Sequence, residues 1–312
     1  MTRRCVSVVI PTVGRPSLLR AVDSVKAQGD VEIEIIVVAD LPKDAVGEIS
    51  ESLPDVHLLT TGGAQGGGAA RSLGTVAARH PWIAYLDDDD YWLPNKLTLQ
   101  LEAAAMVTER TVPIIASRVR SVGKGGRPVV VPKFTYQGGP LETYLFRRRR
   151  LAANRNLIHT STLLVPAPTA KEVLWRIGLR RHQDWDFVYR CLQVPGRELI
   201  QLRDVLTVIE VDSVGSISSS SDWRPSFDWA QEYGHKWAPH AYADFLAGQP
   251  LRYALLSRDV AGLPEIIREM RTSGAPSGRA LALAASGLLP RRTLSRIMHG
   301  LPFGPGSAKA GL

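Results

Sequence analysis

Four consecutive carboxylates, Asp87–Asp90, lie between an apolar run and the sequence Tyr91-Trp-Leu-Pro94. Adjacent carboxylates repel one another unless a cation lies among them. Hard divalent ions such as Mg²⁺ and Mn²⁺ take oxygen ligands and share them with phosphates. Alternate residues of an extended segment point the same way, so we expect Asp87 and Asp89 to face one side together. The run predicts a divalent-metal site; the alternative is a solvated acidic turn.

A glycine-rich segment, Gly62–Arg71, precedes a helical pattern. Glycines allow close backbone approach and a helix N-terminus favours anions, so Gly68 is a candidate for a phosphate contact and Arg71 for contact with a phosphate or a base. A plain flexible loop is the open alternative.

Asp40 ends an apolar run and can accept hydrogen bonds from a nucleobase or a ribose hydroxyl, or serve in a turn or helix cap.

A second acidic site lies in the sequence His182-Gln-Asp-Trp-Asp-Phe-Val-Tyr-Arg190. Asp186 and Arg190 have the spacing of a helical ion pair, and Asp184 that of a helix N-cap. Four consecutive cations, Arg147–Arg150, form either a solvated face or a loop that neutralises phosphates. Nucleic-acid binding is not expected, because no aromatic interleaving or recognised module accompanies the run.

The end of the chain contains a basic amphipathic pattern over residues 291–301, and no acidic residue follows Glu269. An apolar stripe at helical spacing is flanked by cations; the stripe is Leu294, Ile297, Met298 and Leu301, and the flanking residues are Arg292, Arg296 and His299. Such a helix either lies on an anionic membrane surface or packs on its own domain.

The elements that must position these side chains begin with alternating strand and helix patterns. Apolar runs predict strands at Val6–Ile10, Ile33–Ala39, Val56–Thr60 and Trp82–Leu86. Strands that alternate with helices favour a largely parallel sheet, whose ligands bind at the carboxyl ends of its strands. Asp40, Gly66–Gly68 and Asp87–Asp90 all fall at or just past such ends.

The pattern changes from about Pro113 onwards. Strands are predicted at Ile114–Val119, Val129–Val131, Ile158–Val165 and Leu199–Val211, with irregular basic segments between them, which indicates a mixed or antiparallel half. Ser213–Ser221 is serine-rich and typical of a linker. Residues 222–301 have helical patterns, and the Gly/Pro-rich residues 302–312 are expected to be a disordered tail.

Composition limits the class of protein. The chain has 312 residues, 45% of them hydrophobic, which is ordinary for a soluble globular protein, and a net charge of +8 favours anionic partners. Two distant cysteines make neither a disulfide framework nor a zinc site and favour a reducing cytoplasm. The first apolar run ends at Pro11, too early for a signal peptide, and no apolar stretch approaches ~20 residues.

In their order along about residues 5–211, the motifs resemble family 2 glycosyltransferases, which have the GT-A fold. Val6–Pro16 resembles the opening strand and loop of that family, and Leu86–Pro94 looks like its metal-binding motif. Three further segments are similar with one replacement each: Ile35–Asp40 has Ala39 in place of the first of two aspartates, Gly67–Gly74 has Ser72 for the usual Asn, and His182–Arg190 has Gln183 where Glu is commoner. Asn156–Val165 resembles the segment that leads to the acceptor site.

The resemblance implies a set of site residues. Asp87 would touch ribose or metal, Asp89 would bind an Mg²⁺ or Mn²⁺ ion and the diphosphate, and Asp184 would be the general base. The implied donor-binding residues are Pro11, Thr12, Arg15, Asp40, Gly68, Arg71, Asp87 and Asp88. On the acceptor side, or in a loop that contacts phosphate, we expect Trp185, His182, Arg148 and Arg149.

The expected protein is an inverting glycosyltransferase with an α/β GT-A fold, a Rossmann-like mixed sheet flanked by helices and a C-terminal helical extension. Residues 1–215 would form the transferase domain, with a nucleotide-sugar half at 1–110 and an acceptor half at 111–215. The acceptor, a glycan, a lipid-linked molecule or a small natural product, stays open, as do oligomeric state and peripheral membrane contact. The alternatives are a sugar-phosphate nucleotidyltransferase, for which Pro11–Pro16 is a poor version of the glycine-rich loop, and a non-catalytic nucleotide-sugar-binding module.

Overall fold

In a computed structural model of the protein, residues 4–123, 127–147, 156–211 and 222–289 are described. The chain divides into two compact units, Met1–Ser220 and Ser221–Leu312. The predicted basic segment at 291–301, the predicted tail at 302–312, and Arg148 and Arg149 lie outside the described residues.

One sheet organises the first unit. Its strands among the described residues are β1 Cys5–Thr12, β2 Glu32–Ala39, β3 His57–Thr60, β4 Trp82–Tyr85, β5 Tyr91–Trp92, β6 Val112–Gly123, β7 Val129–Val131, β8 Leu164–Pro166 and β9 Arg197–Val211. Their order is β3-β2-β1-β4-β8-β6-β9-β5, with β7 paired to β6. The strands β1 to β4 are parallel, whereas β8 is antiparallel to both β4 and β6. The sheet is therefore mixed, as predicted.

Helices of the first unit follow the strands along the chain. They are α1 Leu18–Lys26, α2 Gly47–Ser52, α3 Gly67–Ala77, α4 Lys96–Ala105, α5 Leu141–Phe146, α6 Ala167–Val173 and α7 Gln183–Leu192. Helix α1 buries Leu18, Ala21, Val22 and Val25 on one stripe. Every residue of β1 is buried, as expected for a central parallel strand that is covered on both faces.

The first four predicted strands are confirmed as β1 to β4, and Leu199–Val211 lies within β9. The strand predicted at Ile158–Val165 is wrong over its first part, where Thr160–Thr162 form a 3₁₀ turn and β8 begins only at Leu164. The polar side chains explain the difference, because short hydroxyl and imidazole groups bond locally to backbone and compete with a strand. Here the His159 side chain accepts a hydrogen bond from the Ser161 N–H.

The described part of the second unit, residues 222–289, is helical, as the sequence predicts. Its helices are α8 Arg224–Gly234, α9 Pro239–Leu246, α10 Arg252–Ser257, α11 Leu263–Ser273 and α12 Gly278–Ala285, with a π-helical turn between α9 and α10. Trp229, Trp237 and Phe245 pack ring against ring in its core. Among the described residues, no helix has both the length and the apolar character needed to cross a bilayer.

Candidate functional site

The four aspartates after β4 form a turn, not an extended segment. The Asp90 N–H donates to the Asp87 carbonyl at 3.1 Å. The sequence predicts that Asp87 and Asp89 face one side, because alternate residues of an extended strand do so. That reason is wrong, because the four aspartates are not extended but form a turn. The turn instead brings carboxylate oxygens of Asp87 and Asp90 together with a ring nitrogen of His159, all within 4.8 Å of one another.

The 3₁₀ turn before β8 completes this cluster. Ser161 Oγ donates to Asp90 Oδ2 at 2.5 Å and accepts from the Asp87 N–H at 3.1 Å. His159 Nδ1 lies 3.6 Å from Asp90 Oδ2. Reasoning from sequence missed Asp90, His159 and Ser161 as individual site residues. The single histidine has no ligand-like spacing to reveal it, because only tertiary pairing of β8 with β4 brings it to the aspartates.

Burial and charge set the ionisation of this cluster. Burial raises the pKa of Asp90 to about 7. Burial also opposes ionisation of Asp87, but the Arg71 guanidinium, His159 and Arg15 outweigh it and hold that pKa below its usual value. Burial would lower the pKa of His159, yet the nearby carboxylates of Asp90, Asp87 and Asp184 raise it. Asp87 and Asp89 also raise the pKa of Asp90 by repulsion, which a bound cation would relieve.

The loop after β1 is tied to the aspartate turn through Asp88. This carboxylate is buried and accepts from Thr12 Oγ1 at 2.7 Å and from an Arg15 guanidinium nitrogen at 2.6 Å. The same Arg15 nitrogen lies 3.9 Å from Asp89. Pro11 precedes this loop as a buried residue of β1. Thr12, Arg15 and Asp88 thus lie together at the carboxyl ends of β1 and β4, where ligands bind in such sheets.

Asp40 organises the glycine-rich loop. Its carboxylate accepts hydrogen bonds from Thr61 Oγ1 at 2.5 Å, the Gln65 N–H at 2.8 Å and the Gly66 N–H at 2.7 Å. Burial alone would raise the pKa of Asp40, but these three donors lower it. The local turn-and-cap role is therefore present in the structure, and contact with a nucleobase stays a prediction.

Arg71 connects the aspartate turn to the segment that contains Asp184. Its guanidinium forms an ion pair with Asp87 and donates to Gln183 Oε1 at 2.7 Å. It also lies over the Trp175 ring, 5.1 Å from the ring centre. Its Nε is buried and has no hydrogen-bond partner among the residues that the structure describes. One side chain on α3 thus holds the two acidic motifs in a fixed relation.

Gly68 allows α3 to approach the chain before α7. A Cβ placed at Gly68 would lie 2.2 Å from the Arg176 carbonyl oxygen, a distance that no side chain tolerates. The glycine is therefore explained by close backbone packing that fixes the helix bearing Arg71. Contact of Gly68 with a donor phosphate stays a prediction.

Asp184 lies in the first turn of α7, half-buried, and accepts from the N–H of Trp185 at 2.9 Å. Residue His182 occupies the N-cap position, so the N-cap interpretation of Asp184 is wrong. Burial raises the pKa of Asp184. The predicted pair of Asp186 and Arg190 is confirmed at 2.8 Å, and Asp186 is fully buried. The two aspartates therefore have separate environments.

Aromatic rings flank Asp184. His182 stacks on Trp185 with ring centres 4.7 Å apart, and Phe146 meets the Trp185 ring at 5.2 Å. Burial lowers the pKa of His182 to about 3, so the imidazole is neutral. Arg147, the first residue of the four-arginine run, directly follows Phe146.

A mixed Rossmann-like sheet with an acidic turn at the carboxyl end of its central strand is the arrangement of GT-A glycosyltransferases. The family profile described as Glycosyl transferase family 2 matches residues 7–162, half of the chain. The protein therefore belongs to glycosyl transferase family 2, and this membership supports glycosyl transfer as its class of activity.

Relatives agree with this assignment. The chain is 39% identical over 90 residues to the succinoglycan biosynthesis protein ExoO of Rhizobium meliloti, which covers 28% of this chain and 26% of ExoO. It is 25% identical over 236 residues to an "uncharacterized glycosyltransferase" of Haemophilus influenzae, 73% of this chain and 76% of that protein. The chain thus spans about a quarter of ExoO and most of the second relative.

Among solved structures, the chain is similar to S. aureus TarS 1–349 in complex with UDP-GlcNAc. The TM-score is 0.58 with 17% sequence identity, over 90% of this chain and 86% of that one. At this identity the likeness shows the fold, which is the predicted GT-A fold.

Proposed function

We propose that the protein is an inverting glycosyltransferase that moves a sugar from a nucleotide-diphosphate donor to an acceptor hydroxyl. The main observation in support is that Arg71 contacts both Asp87 of the aspartate turn and Gln183, the neighbour of Asp184. A leaving-group site and a base on opposite sides of one reacting carbon need such a fixed relation.

In this proposal the aspartate turn stabilises the diphosphate leaving group. The oxygens of Asp87 and Asp90 and the nitrogen of His159 fit a divalent ion by type and by their spacing within 4.8 Å; oxygen ligands suit Mg²⁺, and Mn²⁺ also accepts imidazole. The family resemblance adds Asp89 to Asp87 as the expected ligand. When bound, such an ion would act as a Lewis acid on the diphosphate. Arg15 and Arg71 supply positive charge from the protein itself.

In this proposal Asp184 removes the proton of the acceptor hydroxyl. Its burial raises the pKa, which makes the carboxylate a stronger base than an exposed aspartate. As the acceptor oxygen attacks the anomeric carbon, its proton passes to this carboxylate while the bond to the diphosphate breaks. A single displacement inverts the anomeric centre and needs no second carboxylate as a covalent nucleophile.

The first test is donor binding. TarS was solved with UDP-GlcNAc, so UDP-GlcNAc leads a panel of UDP, GDP, dTDP and CDP sugars measured by thermal shift with Mn²⁺ and with EDTA. We expect one class of donor to raise the unfolding midpoint by mass action, and only with the metal. Asp89→Ala should remove that rise, whereas Asp55→Ala, which changes an exposed carboxylate, should not.

Equal donor affinity with Mn²⁺, with EDTA and in Asp89→Ala would contradict the metal site. Release of pyrophosphate from a nucleoside triphosphate and a sugar phosphate would identify a nucleotidyltransferase instead. Donor binding without turnover on any acceptor would favour a binding module.

A further inference from the structure

Positive charge in the first unit is concentrated in one segment of the sequence. Residues 111–150 contain nine Lys and Arg residues and a single acid, Glu142. The rest of the chain has 29 basic and 29 acidic residues, which cancel. The net charge of this segment, +8, thus equals that of the whole chain, and the segment lies in the half of the first unit expected to hold the acceptor.

Strand pairing places the segment at the edge of the sheet that holds the site. Ile115 of β6 pairs with Leu164 of β8, which pairs with Ala84 of β4. Because β8 is antiparallel to both neighbours, β6 and β4 run in the same direction. Arg118 follows Ile115 by three residues, as Asp87 follows Ala84. Ile115 and Ala84 are therefore level and lie two strand spacings, about 10 Å, apart, but β6 continues to Gly123 whereas β4 ends at Tyr85. Further along β6, Arg120 is level with Tyr91 of β5, the residue after Asp90, because both pair with Val208 of β9.

The described cations of this arm of the sheet are not neutralised by carboxylates. Arg118 donates to carbonyl oxygens, of Pro132 at 3.0 Å and of Arg203 at 3.3 Å. Arg120, Arg127 and Lys133 are exposed, and among the described residues none of the three forms an ion pair. We call these three exposed cations, one on β6 and one on either side of β7, the basic arm: Arg120, Arg127 and Lys133.

Nearby acids do not cancel the basic arm. Glu142 is buried, and Glu210 is paired with Arg20 at 2.5 Å. Glu198 pairs in register with Pro113, at the start of β6 and hence at the opposite edge of the sheet. Asp204 is exposed and directly precedes Val205, the register partner of Arg118.

The other end of the segment reaches the proposed base. Phe146 packs edge-on against Trp185, which adjoins Asp184, and the arginine run begins at the next residue, Arg147. One described cation, Arg147, therefore directly follows a residue that packs against the neighbour of Asp184. Arg15 and Arg71 lie at the aspartate turn, so positive charge for the donor diphosphate is present there without the basic arm.

We propose that the acceptor is an anionic glycan, with repeated phosphodiester or carboxylate groups, that binds along the basic arm with its reacting hydroxyl at Asp184. This inference rests on the proposed function. Repeated charges along a chain match cations spread along a strand pair, since each exposed contact is weak and affinity needs several. Val129 lies between Arg127 and Lys133 along the chain and Phe134 follows Lys133; both are exposed and offer apolar surface for the C–H faces of sugar rings.

The test measures binding of fluorescent polysaccharides to the full chain by anisotropy. The probes are polygalacturonate for carboxylate, poly(glycerol phosphate) for phosphodiester and dextran as the neutral control. We expect one or both anionic polymers to bind, with affinity that falls as salt rises, and dextran not to bind. The triple variant Arg120→Glu, Arg127→Glu, Lys133→Glu should weaken binding by about tenfold or more.

A matched variant controls for net charge. Lys43, Arg110 and Arg271 are exposed cations outside the segment, and their triple change to Glu should leave polymer affinity within about twofold, because screening confines charge effects to short range. Donor-induced thermal shift, measured on the same samples, should be unchanged in both variants. Absence of donor binding in the wild type would refute the proposed function without bearing on polymer binding.

Several outcomes overturn the proposal. These are equal binding of dextran and the anionic polymers, equal loss of affinity in both triple variants, or loss of the donor shift in the arm variant alone, which would assign the arm to the donor. Preference for single-stranded DNA or for phosphatidylglycerol vesicles over both polymers, abolished by the arm variant, would assign it to nucleic acid or membrane.

Discussion

Asp87 and Asp184 are two carboxylates whose surroundings shift their pKa values in opposite directions. At Asp87, Arg71, His159 and Arg15 together outweigh burial and lower the pKa, whereas burial raises the pKa of Asp184. When two acids in one site have pKa values shifted in opposite directions, one commonly stays ionised and the other exchanges a proton during the reaction. The environment of each residue therefore supports the roles that the resemblance implies.

Asp184→Asn tests the base. The amide keeps the shape of the side chain and can still accept from the Trp185 N–H, but it cannot take a proton. We expect donor binding to be retained and transfer to fall by ~10²–10⁴-fold, the usual contribution of a general base. Turnover of a donor and acceptor pair and donor thermal shift, measured together, separate the two effects.

Asp186→Asn is the matched control for that experiment. Asp186 is fully buried between Arg176 and Arg190, so its change should lower the unfolding midpoint and leave turnover per folded molecule largely intact. Near-wild-type turnover of Asp184→Asn, or complete loss in a folded Asp186→Asn, would show that the base has been assigned to the wrong residue.

At the scale of elements, α3 depends on a close approach that only glycine allows. Gly68→Ala would place Cβ 2.2 Å from the Arg176 carbonyl oxygen, so α3 must move and Arg71 with it. We expect a loss of about 1–3 kcal/mol in unfolding free energy, typical of overpacking, together with weaker donor binding. Urea unfolding and donor thermal shift measure the two effects.

Gly47→Ala is the control, because Gly47 also opens a helix but a Cβ at that position would meet nothing within 4 Å. The substitution should be neutral or slightly stabilising, since alanine has less freedom in the unfolded chain. Equal effects of the two substitutions would mean that the approach of α3 to Arg176 does not constrain the fold.

A buried carboxylate joins β1, β2 and the end of α3. Glu34 accepts from Ser7 Oγ at 2.5 Å, from Arg79 Nε at 2.6 Å and from the Arg79 N–H at 2.9 Å. Burial would raise its pKa, but these donors lower it below the usual 4.5. Because the folded pKa is depressed, its contribution to stability is present above about pH 4.5 and is lost as the pH falls through the lower folded value.

Glu34→Gln should therefore lower the unfolding free energy at neutral pH by about 1–2 kcal/mol, the scale of a hydrogen-bonded charge. The difference from wild type should narrow as the pH falls below 4.5, the ordinary value for this group. Urea unfolding across this range, with Glu51→Gln as an exposed control, measures it. A difference that is constant with pH would contradict the role of the ionised form.

The sequence predicts elements better than the turns between them. The apolar runs at Val6–Ile10 and Trp82–Leu86 specify buried strands by composition alone, and the sheet contains both as expected. Pattern alone predicts extended backbone for the aspartates and for Thr160–Thr162, because short polar residues choose their conformation from local hydrogen bonds that no periodicity reveals. His159 enters the site only through the second of these turns; the resemblance of Asn156–Val165 to a family segment points to the region but not to this side chain.

At the scale of the whole molecule, positive charge is concentrated in two regions of the chain. The basic arm lies in the first unit, and beyond Glu269 the chain has six Lys and Arg residues and no acid. Within residues 222–289 the second unit has a packed aromatic core of its own. The two basic regions therefore call for separate tests, one with a polymer and one with a surface.

The last prediction concerns the C-terminal basic region as a peripheral membrane contact. The stripe Leu294, Ile297, Met298 and Leu301, with its flanking arginines, has the composition of a helix that lies on an anionic surface, where apolar burial and charge attraction add. We expect the full chain to co-sediment with phosphatidylglycerol vesicles more than a version that ends at Pro290, and neither to sediment with neutral vesicles. Leu294→Ser with Ile297→Ser keeps every charge and should reduce sedimentation as truncation does. Identical sedimentation of the full and shortened chains would favour packing of the stripe on its own domain instead.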